Sequence, residues 1–210
     1  MAHAARFWDR IADRYAARPV DDPESYETKL ARTETYLRPE MDVLEVGCGT
    51  GTTALHHAGS VRHIDAVDVS ARMIDIAREK ARAAGVGNVD FSVGALDDLE
   101  MNPARYDIVM AHSLLHLLAD RPAALARFHD LLKPGGYFIS STTCISGGLA
   151  LVLGVVLPVL RVLRILGGLP LVRFFTPDRL VGEVEAAGFQ IDHRWQPGPR
   201  KAVYLVARKA

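Results

Sequence analysis

Apolar residues recur along this chain with two periods. Phe7, Ile11 and Tyr15 are four apart, the spacing of one helix face, which predicts a helix from Ala4 to Ala17. "RPVDDPES" interrupts it, and a second helix is expected from near Pro23 to about Tyr36. The pattern then shortens. "MDVLEV" reads as a strand, "GCGTG" as a tight turn and "TTALHHA" as a helix. "RHIDAVDVS" reads as a second strand. The amphipathic "ARMIDIAREKARAAG" reads as a helix closed by Gly85. "VDFSVG" and "YDIVMAHS" are the third and fourth strands. "RPAALARFHDLLKPGG" is a helix with Pro122 near its start and a Pro-Gly-Gly stop, and "GYFIS" is the fifth strand. "TPDRLVGEVEAAGF" has Thr176 as N-cap, Pro177 in its first turn and Gly188 past its end. "FQIDHRW" and "AVYLVAR" flank "QPGPRK", a pattern for an antiparallel strand pair.

Strands alternating with helices predict an α/β fold, a doubly wound and mostly parallel sheet. Such sheets bind ligands in the crevice beyond the carboxyl ends of their strands. One segment stands outside the alternation. "GGLALVLGVVLPVLRVLRILGGLPLV", Gly147 to Val172, contains no Asp, Glu or Lys. Its uninterrupted apolar run ends at Arg161, short of the roughly 20 residues that a membrane span needs. Pro158 suits the first turn of a new helix, with Gly167 as its stop and Pro170 beyond. Arg161 and Arg164 share a face near its C-terminus, where cations are favourable. Two short helices are therefore expected.

Composition narrows the function. Of 210 residues, 49% are hydrophobic and 24% charged, an ordinary globular composition, and the length allows one large α/β domain or two small ones. No Lys/Arg cluster stands out, which argues against a nucleic-acid partner. Cys48 and Cys144 make no disulfide framework, which suits a reducing cytoplasm. The opening "MAHAARFWDRIADRY" is amphipathic without the apolar core of a signal peptide. No metal-ligand spacing is present, and none of the G-x-S-x-G kind.

The chemistry gathers at the strand ends. Gly47, Gly49 and Gly51 follow the first strand as G-x-G-x-G. Thr52 stands where a dinucleotide fingerprint has its third glycine, so a nicotinamide cofactor fits poorly. Glu45 lies inside the apolar first strand, where an unpaired carboxylate is unfavourable. Asp68 ends the second strand. His112 ends the fourth, with His116 one helical turn on.

With "VLEVGCGTG", "VDVS", "YDIVMAHSLLHLL" and "LLKPGGYFIS", and an opening "FWDRIADRYAARP" like that of small-molecule members, the chain resembles the class I S-adenosylmethionine-dependent methyltransferases over nearly its whole length. That resemblance implies a seven-stranded Rossmann-like sheet with an antiparallel last strand. An N-terminal helical cap over residues 1–40 and an apolar lid inserted at 144–175, after strand 5, complete the single domain. It implies S-adenosyl-L-methionine as cofactor and a small acceptor. The glycine turn would meet the cofactor's amino-acid end and ribose, and Asp68 would accept from both ribose hydroxyls. Val69 and Met73 would lie beside the adenine, although Met73 suits helix core equally well. The Gly-Asp-Ala common after the third strand reads "GALDDL" here. Leu96 would offer its backbone N–H and Asp97 an acceptor, unless Asp97 or Asp98 only caps a turn. Glu45 would bond backbone N–H groups or reach cofactor through water. Tyr15 would cover the amino-acid end or pack with Phe7 and Ile11. His112, also a cofactor contact, and His116 are the candidate bases for methyl transfer, and His56 and His57 read as structural. The segment 147–172 remains open between lid, membrane-surface contact and homodimer interface. A non-catalytic cofactor-fold scaffold and a peripheral-membrane enzyme acting on a lipid or quinone-like compound are the alternatives to a cytoplasmic enzyme with an apolar acceptor.

Overall fold

The computed structural model describes residues 2–99, 102–144, 172–199 and 201–210. The expected lid at 144–175 therefore lies almost wholly outside the described residues. Helices α1 (Ala2–Ala16) and α2 (Pro23–Glu34) precede the sheet. Then follow β1 (Asp42–Val46), α3 (Thr52–His57), β2 (His63–Asp68), α4 (Ala71–Ala84), β3 (Val89–Val93) and β4 (Tyr106–His112). The chain continues with α5 (Arg121–Leu131), β5 (Leu132–Thr142), α6 (Pro177–Ala186), β6 (Phe189–Trp195) and β7 (Val203–Lys209).

The seven strands form one sheet in the order β3-β2-β1-β4-β5-β7-β6. The first five pair in parallel, and β7 runs antiparallel to both β5 and β6, as expected. The order reverses between β1 and β4, so the crevice lies beyond their carboxyl ends.

Local chemistry explains the boundaries. Ser70 accepts from the Met73 N–H to open α4, and Gly85 ends it in the left-handed region at φ 66°. Asp22, Asp120 and Thr176 cap α2, α5 and α6 in the same way, each with a proline in the first turn. The second helix stops at Glu34, two residues before Tyr36. The Pro-Gly-Gly sequence does more than stop α5. Strand β5 already starts at Leu132, paired with Tyr106, and pairing resumes at Ile108 with Tyr137. The intervening residues bulge out of the ladder, and a Cβ on Gly136 would lie 2.8 Å from the Asp107 carbonyl oxygen.

Alternation along the strands sorts the core onto two faces. Leu44, Val46, Val109 and Phe138 pack with Phe128 of α5 and Leu180 of α6. Val43, Ile108, Met110 and Tyr204 face the other way, against Ala54 of α3 and Ile74 of α4. On that face the Thr33 hydroxyl bonds the Tyr204 hydroxyl at 2.9 Å and fixes α2 to the sheet. Helix α1 packs on α4 through Ala12, Met73 and Ile76. Asp9 accepts from Ser70 Oγ at 2.6 Å and from the Arg72 N–H at 3.1 Å, so a carboxylate of α1 sits at the positive end of α4.

Gly51 joins the turn to this core. It has φ +72°, and a Cβ there would lie 2.7 Å from Phe91 Cε1 and 2.8 Å from Ala77 Cβ. Gly51→Ala should lose about 2–4 kcal/mol of stability by overpacking and backbone strain. Gly59→Ala, where a Cβ meets nothing within 4 Å, should stay near wild type. Urea denaturation midpoints at constant slope check the pair.

Candidate active site

The chain leaves β1 through three glycines at positive φ, Gly47 (73°), Gly49 (54°) and Gly51 (72°). Both the Gly47 and Cys48 N–H groups donate to the Val67 carbonyl, at 2.8 and 3.1 Å, which carries β1–β2 pairing past the end of the strand. The Asp68 carboxylate completes the clasp. Oδ2 accepts from the Gly49 N–H and Oδ1 from the Ser70 N–H, both at 2.9 Å. Burial pushes its pKa up, opposed by the Ser70 and Gly49 N–H bonds. Each oxygen keeps a further acceptor position. A Cβ on Gly49 would meet nothing within 4 Å, so the turn is open at this point.

A cavity of about 510 Å³ lies between this turn, the ends of β1 and β4, and the cap of α1 and α2. Tyr15, Tyr26, Lys29, Glu45, Gly49 and His112 are among its walls. An ion pair of Lys201 with Asp22, 2.8 Å, ties the β6–β7 connection to the start of α2 beside it.

Glu45 is 2% exposed and Oε2 has no hydrogen-bond partner. Burial pushes its carboxyl up to about 8, against a backbone hydrogen bond at Ala54, and Asp68 adds to the rise. His112 Nε2 is also buried without a partner. Burial pulls this imidazole down to about 3, and the charges of His57 and Lys29 add to it, so His112 is neutral at pH 7. The next residue, Ser113, holds φ 52° and donates its N–H to the Ser141 carbonyl at 2.7 Å.

The structure gathers some of the predicted residues and separates others. Tyr15, Glu45, Gly47, Gly49 and His112 line the cavity, and Asp68 bonds its glycine floor. Gly51, Val69, Met73, Leu96, Asp97 and His116 are not among its walls. Met73 is buried beneath α1. Leu96 is buried on the α5 face of the sheet. Asp97 is exposed, and Asp98 rather than Asp97 closes the local turn by accepting from the Ala95 N–H at 3.0 Å. His116 sits in the 3-10 turn Leu115–Leu117, its Nδ1 buried without a partner and its pKa lowered by burial. Its carbonyl accepts from the Arg173 N–H at 2.7 Å.

Sequence reading missed Tyr26 and Lys29, which reach the cavity from α2. A signal existed. Tyr26, Leu30 and Thr33 follow helical spacing and mark the inward side of α2, with Lys29 next to it. Burial lowers the Lys29 pKa.

Residues 43–136 match the family model described as a methyltransferase domain. With this match, which covers less than half of the chain, the sheet order and the glycine turn on Asp68, the chain is similar to the class I S-adenosylmethionine-dependent methyltransferases. Among curated relatives, the ubiquinone biosynthesis O-methyltransferase of Paraburkholderia phytofirmans is 29% identical over 143 residues, 68% of this chain and 59% of that protein. Phosphoethanolamine N-methyltransferase 1 of Arabidopsis thaliana is 32% identical over 119 residues, 56% of this chain and 24% of that protein. The chain thus spans less than two thirds of the length of these relatives. The crystal structure of the YcgJ protein from Bacillus subtilis superposes with a TM-score of 0.71 at 19% identity, covering 87% of this chain and 98% of that one, a likeness of fold.

The two perturbed groups give the ligand-free protein opposite pH dependences. Glu45, raised in the fold to about 8, contributes stability that is lost as pH rises from its unfolded value toward 8. His112, lowered to about 3, contributes stability that is lost as pH falls from 6.5 toward 3. Between pH 6.5 and 8 only Glu45 of these two still titrates. Glu45→Gln should remove a downward slope of at most about 1.4 kcal/mol per pH unit in that window, measured by urea unfolding.

Proposed function

We propose that the protein transfers a methyl group from S-adenosyl-L-methionine to a small apolar molecule, at an oxygen, nitrogen or carbon atom. The observation that carries this is the cavity at the sheet's switch point, floored by the glycine turn and walled by the unpartnered Glu45 carboxyl and His112 imidazole. An orphaned acidic oxygen in a buried wall suits a cationic ligand. Bound there, S-adenosyl-L-methionine supplies a methyl group already activated by a sulfonium.

The chain's own residues then bind, orient and exclude water. Asp68 offers its free acceptor positions to ribose hydroxyls, and a carboxylate strengthens such bonds. The open side of Gly49 allows close backbone approach. Glu45 and Tyr15 suit the ammonium and the sulfonium at the amino-acid end. Val69 and Met73 are assigned to the adenine side, with the Leu96 backbone N–H and Asp97 at its edge, which requires α1 to shift from Met73. His112, neutral and with its Nε2 unpartnered in the cavity wall, holds the acceptor through a hydrogen bond. His116, outside the cavity walls, is the second candidate base for the transfer. Positioning and water exclusion supply the rate enhancement.

Two observations favour an apolar acceptor. The segment 147–172, which follows β5, contains no Asp, Glu or Lys. One relative is named for ubiquinone biosynthesis. The same observations support a second reading, a protein that meets a lipid-soluble acceptor at a membrane surface. No helix among the described residues is long and apolar enough to cross a membrane. Flotation with liposomes separates the two, since a chain that stays wholly in the soluble fraction removes the second.

Calorimetric titration with S-adenosyl-L-methionine tests the proposal, and absence of binding would overturn it in favour of a non-catalytic scaffold. Asp68→Asn should weaken binding about tenfold or more through loss of charge-assisted bonds, equivalent to about 1.4 kcal/mol. A cationic ligand beside Glu45 should also drive off its proton. Titrations at pH 7 in two buffers of different ionisation enthalpy should show proton release in wild type and little or none in Glu45→Gln.

A further inference from the structure

A second group of side chains lies outside the cavity. Glu34 ends α2, and His56 and His57 end α3. Glu34 Oε1 is 2.6 Å from His57 Nδ1 and 3.9 Å from His56 Nε2. One ligand atom from each residue falls within 4.8 Å of the other two. The two imidazoles stand edge to face at an interplanar angle of 85°. Ser60 Oγ donates to the other Glu34 oxygen at 2.6 Å and holds the carboxylate in place. The His57 side chain is buried, whereas those of His56 and Glu34 are part exposed, so the group is open to solvent on one side.

Charge separates this group from an ordinary ion-pair cluster. Among the described residues, the hydrogen-bond and ion-pair partners of the Glu34 carboxylate are these two histidines and Ser60, with no Lys or Arg. The comparable trio His63, Asp65 and Asp90 is different, because Asp65 already accepts from Arg105 at 2.5 Å and from the Tyr106 hydroxyl at 2.7 Å. Two neutral imidazoles and one carboxylate are the ligand set of a borderline-soft divalent ion. Bonds of about 2.0–2.2 Å in tetrahedral array separate adjacent ligand atoms by roughly 3.3–3.5 Å. The observed 2.6 and 3.9 Å bracket that value, and side-chain adjustment of a few tenths of an ångström at each ligand reaches it.

We propose that Glu34, His56 and His57 form a site for one divalent transition-metal ion of the zinc class, with solvent completing its coordination and Ser60 holding the carboxylate ligand. Such an ion clips α2, a wall of the cavity, to α3, the helix that follows the glycine turn. The site is independent of the reaction proposed above.

The test uses the full chain without an affinity tag, stripped with a chelator and returned to metal-free buffer at pH 7.5. Titration with Zn²⁺ by calorimetry should give a saturable 1:1 isotherm, and Co²⁺ should give the visible d–d absorption of a low-coordinate nitrogen and oxygen site. Zn²⁺ should raise the melting temperature. His56→Asn and Glu34→Gln should each weaken binding at least tenfold and abolish the melting shift. His56 is half exposed, so an unchanged metal-free melting temperature will show that His56→Asn is folded. No saturable binding by wild type, undiminished binding by a folded His56→Asn, or loss of binding on His63→Asn instead would overturn the proposal.

Discussion

The constraint on which the cavity depends is the way the backbone leaves β1. A strand that ends at a ligand site exposes N–H groups that need partners. Here they are taken by the Val67 carbonyl and the Asp68 carboxylate of the neighbouring strand. The backbone of the turn is therefore held from β2. That arrangement needs positive φ at three positions and close packing against Phe91, which only glycine satisfies at Gly51. Asp68 in turn reaches Ser70, the cap of α4, and Ser70 reaches Asp9 of α1. One chain of hydrogen bonds thus runs from the glycine turn to the cap helix.

Around this rigid floor the protein keeps polar atoms that it does not satisfy internally. Glu45 Oε2 and His112 Nε2 are both buried in the cavity walls without partners. An orphaned polar atom in the interior is destabilising by about 1–3 kcal/mol. Their burial also sets their charge. Glu45 is held toward its protonated form and His112 toward its neutral form. Glu45 and His112 thus bring little charge to the cavity walls at neutral pH.

Much of this arrangement was legible in the sequence because it depends on local rules. The β1–turn–α3 unit follows from an apolar run meeting Gly47, Gly49 and Gly51. The starts of α5 and α6 follow from Pro122 and from Thr176-Pro177. The antiparallel β6–β7 pair follows from the turn residues between two alternating runs. What was not legible depends on tertiary contact. Helix α2 carries no motif, yet the Thr33–Tyr204 bond seats it so that Tyr26 and Lys29 face the glycine turn. The early start of β5 needs the Tyr106–Leu132 pairing, which is invisible in "LLKPGG" alone. Met73 fitted either the adenine side or the helix core, and only the packing of Ala12 on α4 shows it covered.

Cys144 and Phe175 are both buried in the same core cluster, on the α5 and α6 face of the sheet. Arg121 braces the second of them. Its guanidinium lies 3.8 Å from the centre of the Phe175 ring and is paired with Glu183 at 2.8 Å. Cys144 and Phe175 thus fix both ends of the intervening sequence on the core. Closing a loop between fixed ends depends only logarithmically on its length, about 0.6 kcal/mol for each doubling. The sheet is consequently indifferent to much of what is written between Cys144 and Phe175. A change in the length of that passage leaves the core that holds its two ends as it was.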